Sequence, residues 1–324
     1  TSIRCINSKY VSKIFRQCDL STRRLLKDSN CDDINGLYDL TKSKHLQDDH
    51  VLRSSQSKAS SSKMMQTTMN QQVINHLDNL KEQNCIMKVL RSYLNTIEIN
   101  AWYNITKSLS KNLFSFSRKA LVFCLANKSN LFRWKKSDTN ACTFCQKPET
   151  QLNVLSNCSI AANQNRYTWR HNSVLRTLSN YVMQLQQYGY KIFIDLDGYS
   201  SPSSLFKSCR PDVVLLKDDE ITVIELTVCF ETNIEKSKQY KLEKYKHLEN
   251  DLQKPIRSFT LITVEITTLG FYKKHKSLVK LLKDYNINVS RCYEKMGECA
   301  LRASYFIYTQ RNKEWTNPLE LLFY

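Results

Sequence analysis

Two apolar runs joined by a short polar turn constrain the fold of this chain most strongly. They are DVVLL at 212–216 and ITVIELTVCF at 221–230, and the turn between them is KDDE. Continuous apolar runs of this length, bounded by turn residues, predict adjacent β-strands that are buried on both faces of a mixed sheet. Two acids interrupt the apolar pattern, because Asp212 opens the first strand and Glu225 lies in the middle of the second.

The sequence around these runs supplies the rest of an α/β (α+β) domain. A helix, three strands, a second helix and a fourth strand are predicted in the order α-β-β-β-α-β, and two further helices follow. Their ranges are 173–189 for the first helix, 191–196, 212–216 and 221–230 for the three strands, 231–250 for the long second helix, 258–267 for the fourth strand, and roughly 272–285 and 288–310 for the last two helices. This order predicts a mixed sheet covered by helices.

The two acids predict a divalent-metal site. Side chains alternate along a strand, so Glu225 shares a face with Val223 and Thr227 inside an apolar run, where an unpaired carboxylate is costly. A Mg²⁺ or Mn²⁺ ion bound by Asp212 and Glu225 would offset that cost, since these metals prefer hard oxygen ligands. Such an ion lowers the pKa of a bound water and neutralises charge on a phosphate under attack. The plainer alternative is a core glutamate paired with a lysine, with Asp212 serving only the turn after Pro211.

The long helix predicted at 231–250 carries lysines that can reach the sheet. With Ile234 as the origin and about 100° per residue, Tyr245 and Lys241 both fall about 20° from it, inside the buried face. Lys244 falls on the flank of that face. A lysine on a buried face requires an anionic partner. Lys241 is therefore the first choice to orient the attacking water or to stabilise the pentavalent phosphorus, and Lys244 is the second.

The sequence RPD, followed after twelve residues by a glutamate on the next strand, resembles the PD-(D/E)xK nuclease fold. The lysine that usually follows two positions after the glutamate is absent, and Thr227 stands there. A variant with the lysine moved to the following helix, in the pattern KxxKY, resembles the restriction-like endonuclease at the C-terminus of site-specific non-LTR retrotransposons. In this chain Lys241, Lys244 and Tyr245 occupy the KxxKY positions.

The resemblance spans roughly residues 105–310. It implies a PD-(D/E)xK core preceded by a helical region and a degenerate zinc knuckle. It also implies an endodeoxyribonuclease that uses Mg²⁺ or Mn²⁺ to nick double-stranded target DNA for reverse transcription, with the RNA of the element as a possible second partner. Such an enzyme would be nuclear.

A cysteine cluster lies between the helical region and the predicted nuclease. Cys142 and Cys145 have two residues between them, and Cys158 follows after twelve more, which supplies three thiolate ligands for Zn²⁺. The retrotransposons that the chain resembles carry a C-x2-C-x7-H-x4-C knuckle here, but Asn153 occupies the histidine position in this chain. Either His171 or water completes the zinc site, or the metal has been lost. The alternative is three buried cysteines in a packed loop.

The net charge of +18, from 48 Lys and Arg against 30 Asp and Glu, favours a nucleic-acid partner. Residues 105–140 carry eight of the basic residues and one acid, Asp138, with aromatic residues interspersed that could stack on bases. The segment RYTWRHN resembles a basic segment of the same retrotransposons. The predicted nucleic-acid contacts are Arg118, Lys119, Arg133, Lys135, Lys136, Arg166, Arg170, His171 and Arg210. The alternatives are a solvated basic helix face for 105–140 and a simple helix start near His171.

The chain divides into four parts, of which the first is defined by its composition and the other three by what the resemblance implies. These are a polar, Ser-rich and poorly ordered segment or linker at 1–63, a basic helical and thumb-like region at 64–140, the knuckle-like segment at 141–170, and the nuclease domain at 171–324. No apolar run approaches the ~20 residues that a membrane span needs. Twelve cysteines without a disulfide-like spacing indicate a reducing, intracellular compartment. The first residue is Thr1, as expected of a fragment or a processed product.

Three functions compete for this sequence. The leading one is the retrotransposon-derived nickase, and the second is a catalytically inactive remnant that still binds nucleic acid. The third is a structure-selective junction nuclease, which shares the fold but has no need of the cysteine cluster. A polymerase is excluded for this chain, because each Asp-Asp pair lacks the aromatic residue two positions before it.

Overall fold

The computed structural model describes residues 86–94, 96–107, 109–252 and 257–318. The predicted polar segment at 1–63 and the first part of the predicted helical region lie outside the described residues. Within the described part, no helix combines the length and the apolar character that crossing a membrane requires.

A four-stranded mixed sheet forms the centre of the molecule. Its strands are β1 (Lys191–Ile194), β2 (Val213–Lys217), β3 (Glu220–Cys229) and β4 (Ser258–Thr267), and they lie side by side in chain order. The pairs β1–β2 and β2–β3 are antiparallel, whereas β3 and β4 are parallel. The predicted mixed α/β architecture is therefore confirmed.

A tight two-residue turn joins β2 to β3. Its central residues, Asp218 and Asp219, have φ angles of 49° and 60°. Two successive positive φ values define the hairpin turn whose twist matches that of the flanking strands, and aspartate tolerates this conformation better than most residues. The turn sets the register that pairs Val213 with Ile224.

Nine α-helices are described around the sheet. They are α1 (Ile86–Tyr93), α2 (Thr96–Lys107), α3 (Lys111–Leu121), α4 (Lys128–Arg133), α5 (Ser159–Asn163), α6 (Arg166–Val182), α7 (Ile234–Lys244), α8 (Lys276–Asp284) and α9 (Val289–Thr309). A turn of π-helix at Asn153–Asn157 precedes α5, and short 3-10 helices lie at Met183–Tyr188, Pro202–Ser204, Glu231–Asn233 and Leu248–Asp251.

Helices cover both faces of the sheet. On one face, α6 packs on β3 and α9 packs on β4, and their apolar side chains join Ile224 and Leu226 in the larger core. On the other face, α7 packs on β3 and β4, and Tyr245 joins Val223 in a smaller core. Glu225 alternates with these residues and so points to the α7 face.

The second predicted helix is shorter than expected. A helix over 231–250 was predicted, but α7 ends at Lys244, and the segment before it is a 3-10 turn. Glu231 explains the late start, because its buried carboxylate accepts hydrogen bonds from the Leu269 amide at 2.7 Å and from the Thr268 hydroxyl. These contacts tie the segment to the loop after β4.

Candidate active site

Asp212 and Glu225 are connected directly across the β2–β3 pair. Asp212 lies just before β2, and its backbone N–H donates to Glu225 Oε1 at 3.0 Å. The Leu226 N–H in turn donates to Asp212 Oδ2 at 2.8 Å. Glu225 has no exposed surface and Asp212 has 8 %. The two acids therefore belong to one buried cluster, as expected for a shared partner.

Lys241 completes this cluster from α7. Its Nζ donates to Glu225 Oε2 at 2.7 Å and lies 4.0 Å from Asp212 Oδ2. The structure thus brings together the two acids and the lysine that the helical geometry selects. Their catalytic roles stay predictions.

Lys244 does not reach the carboxylates. Its Nζ donates to the Tyr245 hydroxyl at 3.0 Å and lies 4.7 Å from the centre of the Tyr245 ring. Burial, together with the charges of Glu225 and Asp212, raises the pKa of Tyr245. Lys244 therefore contacts Tyr245, and it forms no ion pair with Asp212 or Glu225.

His171 is the fourth member of the cluster, in a position that the sequence did not predict. Its Nε2 lies 3.4 Å from Asp212 Oδ2 and 3.3 Å from the Leu226 carbonyl oxygen, and its Nδ1 lies 3.1 Å from Asn172 Oδ1. Of the alternatives for the fourth zinc ligand, His171 does not fit, because α6 directs this side chain to Asp212 and the Leu226 carbonyl. The RYTWRHN sequence gave no signal for a contact with Asp212.

The cluster shifts the pKa values of its members in different directions. Burial and the charge of Asp212 raise the pKa of Glu225 to about 7. Burial also acts on Asp212, but His171, Lys241 and the Leu226 amide outweigh it and lower the pKa of that carboxyl. The pKa values of Lys241 and His171 are raised, because the neighbouring carboxylates outweigh their burial.

The donor set of this cluster suits a hard divalent cation. Carboxylate oxygens are the ligands that Mg²⁺ and Mn²⁺ prefer. Asp212 Oδ1 has no hydrogen-bond partner among the described residues, since all contacts of the carboxylate use Oδ2. Burial and the charge of Asp212 raise the pKa of Glu225 in spite of its ion pair with Lys241. A cation at this point would stabilise the ionised form of Glu225.

Cys142, Cys145 and Cys158 form a second cluster that could hold a metal such as zinc. Their sulfur atoms lie within 4.8 Å of one another, and Cys142 Sγ is 4.0 Å from Cys158 Sγ. A tight turn brings the first two together, with the Cys142 N–H donating to the Lys147 carbonyl at 2.8 Å and Gln146 at a φ of 60°. Three thiolates on one centre are three of the four ligands of a typical zinc site.

Asn153 lies at the fourth corner of this cysteine cluster. Its Nδ2 donates to Cys145 Sγ at 3.3 Å, and its buried Oδ1 has no hydrogen-bond partner among the residues that the structure describes. Although burial acts against it, hydrogen bonds that include the one from Asn153 lower the pKa of Cys145 to about 7. Burial raises the pKa of Cys158 to about 11. The position that a knuckle histidine would occupy is thus filled by an amide that touches the thiols.

Two of the predicted nucleic-acid contacts are wrong. Arg166 and Arg170 are each only 1 % exposed. Arg166 donates to the Gln310 and Lys313 carbonyls, and Arg170 donates to the Leu155 carbonyl and the Ser304 hydroxyl. These arginines hold the cysteine segment and the end of α9 together, so they are not available to a DNA backbone.

The remaining basic residues of the prediction lie on the surface. Arg118, Lys119, Arg133, Lys135, Lys136 and Arg210 are all exposed, and Arg210 forms an ion pair with Asp195. Phe114, Phe132 and Trp134 are also exposed, whereas Phe116 is buried in the core. Contacts of these residues with nucleic acid stay predictions.

Glu265 is a further buried acid that the sequence interpretation missed. It lies on β4 opposite Thr227, on the same face of the sheet as Glu225. Its Oε1 has no hydrogen-bond partner within the described part of the chain, and burial raises its pKa. The signal that identified Glu225, an acid inside an apolar strand, is also present in SFTLITVEIT and identifies Glu265.

Comparison with models of known protein families found no match, and comparison with curated proteins found no similar sequence. No relative therefore supplies a function for this chain.

Proposed function

We propose that this chain is a metal-dependent endodeoxyribonuclease of the PD-(D/E)xK type. The observation that carries the proposal is the convergence of Asp212, Glu225 and Lys241 from three elements onto one buried point. The sheet order, with two antiparallel pairs and a parallel fourth strand reached through α7, is compatible with that fold.

Asp212 and Glu225 would hold Mg²⁺ or Mn²⁺ through their carboxylate oxygens. The ion, when bound, supplies an activated water and neutralises charge on the scissile phosphate. His171 holds Oδ2 of Asp212 in place and leaves Oδ1 open. Lys241 places a positive charge beside Glu225, where it can orient the attacking water or stabilise the pentavalent phosphorus.

The resemblance to site-specific non-LTR retrotransposons gives this activity a context. In that context the chain nicks one strand of a double-stranded DNA target in the nucleus, and the nick primes reverse transcription of the element RNA. The cysteine cluster would bind Zn²⁺ beside the nuclease domain.

Nicking of supercoiled plasmid tests the proposal. Wild-type protein is expected to relax the plasmid with Mg²⁺ or Mn²⁺, and Asp212→Asn and Glu225→Gln are expected to lower the rate by about 100-fold or more. Glu220→Gln is the matched control, because Glu220 is an exposed acid on the same strand as Glu225. Cleavage that survives Asp212→Asn would refute the site.

A non-enzymatic nucleic-acid binder is the second candidate. The observation that favours it is Asn153 at the position of the knuckle histidine, as expected of an element that has lost part of its machinery. Tight DNA binding without cleavage in Mg²⁺, Mn²⁺ or any other divalent metal would select this candidate.

A further inference from the structure

An open groove with a volume of about 930 Å³ runs between α6 and α9. None of the residues predicted from the sequence to contact nucleic acid lines it. The groove lies beside the candidate active site, and the inference drawn from it rests on the proposed nuclease function.

The α6 wall of the groove is a stripe of polar side chains. Asn165, Thr168, Asn172, Arg176 and Asn180 recur every three or four residues, so they share one face of the helix. Every member of this stripe can donate a hydrogen bond, and none is acidic. Trp169 and Tyr181 line the same wall, so aromatic surface lies beside these hydrogen-bond donors.

The α9 wall contributes most of the positive charge. Lys295 and Arg302 share one carboxylate, that of Glu298, at 2.9 Å and 2.7 Å. Arg291 on this wall and Arg176 on the other have no ion pair with an acid among the described residues. The groove holds four cations against the two acids Asp197 and Glu298, so its net charge is positive.

The polar stripe leads directly to the catalytic cluster. Asn172 lines the groove, and its Oδ1 lies 3.1 Å from Nδ1 of His171. The other ring nitrogen of His171 lies 3.4 Å from Asp212. A ligand that contacts Asn172 is therefore one side chain away from the residue that binds the metal in the proposed function.

We propose that this groove binds the phosphodiester backbone of one DNA strand and directs it to Asp212. Arginine and lysine side chains, together with amide and hydroxyl donors, make most protein contacts with phosphate oxygens, and such contacts fix position without reading sequence. The 17 residues of α6 extend about 25 Å, which matches about seven nucleotides of a duplex strand. The groove sets the position of the strand, and the catalytic cluster cuts it.

Binding of fluorescently labelled oligonucleotides to the full chain tests this proposal. Fluorescence anisotropy is measured in EDTA, so that cleavage plays no part, with a duplex and with the corresponding single strand. The double variant Arg176→Gln/Arg291→Gln is compared with Lys191→Gln/Lys207→Gln, which removes the same charge from exposed residues that do not line the groove. Circular dichroism checks that both variants are folded.

The groove variant, Arg176→Gln/Arg291→Gln, is expected to bind DNA at least 10-fold more weakly than the control, Lys191→Gln/Lys207→Gln. The slope of log K against log salt is expected to fall by about 2. If the loss of affinity is seen with the duplex, duplex DNA occupies the groove, and if it is seen with the single strand, single-stranded DNA does. Equal affinity of the two variants in both arms would overturn the proposal, as would a wild-type chain that binds neither oligonucleotide.

These outcomes are separate from those of the nuclease proposal. If wild-type protein nicks plasmid and the groove variant binds as well as the control, the groove proposal fails and the nuclease stands. If the groove variant loses DNA binding while wild-type protein cuts in no metal, the nuclease proposal fails and the groove stands as a DNA-binding surface.

Discussion

The neighbouring carboxyl groups of Asp212 and Glu225 have pKa values that shift in opposite directions. Asp212 accepts a hydrogen bond from the Leu226 amide and lies beside His171, so its ionised form is stabilised in spite of its burial. Glu225 is fully buried beside the charge of Asp212, so its ionised form is destabilised in spite of the ion pair with Lys241. Neighbouring acids that differ in this way are typical of acid–base and metal sites.

Replacing Glu225 by glutamine should change how stability depends on pH when no divalent metal is present. In the folded chain the pKa of Glu225 is about 7, against an ordinary value of 4.5. Between these values the folded chain keeps a proton that the unfolded chain has released, so wild-type stability falls as pH rises. The Glu225→Gln variant has no such titrating group, so its stability does not fall in this way. Its free energy of unfolding should rise relative to that of wild type by roughly 1–3 kcal/mol between about pH 5 and pH 7.

Urea unfolding in EDTA at several pH values measures this gain. Glu243→Gln, at an exposed glutamate of α7, is the control and should track wild type at every pH. A difference between Glu225→Gln and wild type that stays constant from about pH 5 to pH 7 would contradict the raised pKa.

Asn153→His should restore a fourth zinc ligand. The Asn153 amide already contacts Cys145, and its buried Oδ1 has no partner within the described ranges, so the side chain lies where a ligand is needed. A histidine at this point should raise Zn²⁺ affinity about 10-fold or more, because it completes a Cys₃His set. Competition with a chromophoric chelator measures the affinity. Asn157→His, at an exposed residue of the same π-turn, is the control, and equal affinities for the two variants would argue against a site at Asn153.

At the scale of elements, the backbone of α9 packs closely against the backbone of the loop after β4. A Cβ atom added to Gly297 would lie 2.5 Å from the Gly270 carbonyl oxygen and 2.8 Å from the Ile105 side chain. Gly270 itself has a φ of 84°, which favours glycine. The loop after β4 and α9 can pack this closely only because both residues lack a side chain.

Gly297→Ala should therefore destabilise the fold although alanine is the better helix former. The helix gains about 1 kcal/mol, but overpacking against a backbone carbonyl costs more, and we expect a net loss of roughly 1–2 kcal/mol. The free energy of unfolding in urea measures the change. Glu294→Ala, one turn earlier on α9, is the control, and a stabilised Gly297→Ala variant would show that the two backbones can separate without cost.

The strands and the β2–β3 hairpin are predictable from sequence, whereas several contacts between elements are not. The apolar runs, the Asp218–Asp219 turn and the helical position of Lys241 are local patterns, so they specify β2, β3 and the lysine. The sequence cannot show that α6 directs His171 to Asp212, because that contact depends on how a helix docks on the sheet. Nor can it show that Arg166 is buried, because burial depends on carbonyls from the distant end of α9.

At the scale of the whole described structure, the two faces of the sheet carry different groups. The α7 face carries the buried acids and Lys241, whereas the α6 and α9 face carries the larger core and the basic groove. Asp212 links the two sides, because its Oδ2 lies 3.4 Å from Nε2 of His171 on α6 and 4.0 Å from Nζ of Lys241 on α7.

The cysteine cluster is part of the same body. Arg166 connects the start of α6 to the carbonyls after α9, and Arg170 connects α6 to the π-turn that leads to Cys158. Arg170 is only 1 % exposed, and this burial lowers its pKa to about 10. The arginines predicted to bind DNA instead connect α6 to the cysteine segment and to the residues that follow α9.

In the proposed function, Lys241 acts with Asp212 and Glu225 in phosphodiester cleavage. The most direct test is the single-turnover rate of DNA cleavage in Mg²⁺ or Mn²⁺ for the matched variants Lys241→Gln and Lys244→Gln. Both lysines belong to α7 and lie over the Tyr245 ring, but only Lys241 contacts a carboxylate of the cluster. The predicted result is a loss of about 100-fold or more for Lys241→Gln and less than about 10-fold for Lys244→Gln. Equal losses for both variants, or full activity of Lys241→Gln, would contradict the claim.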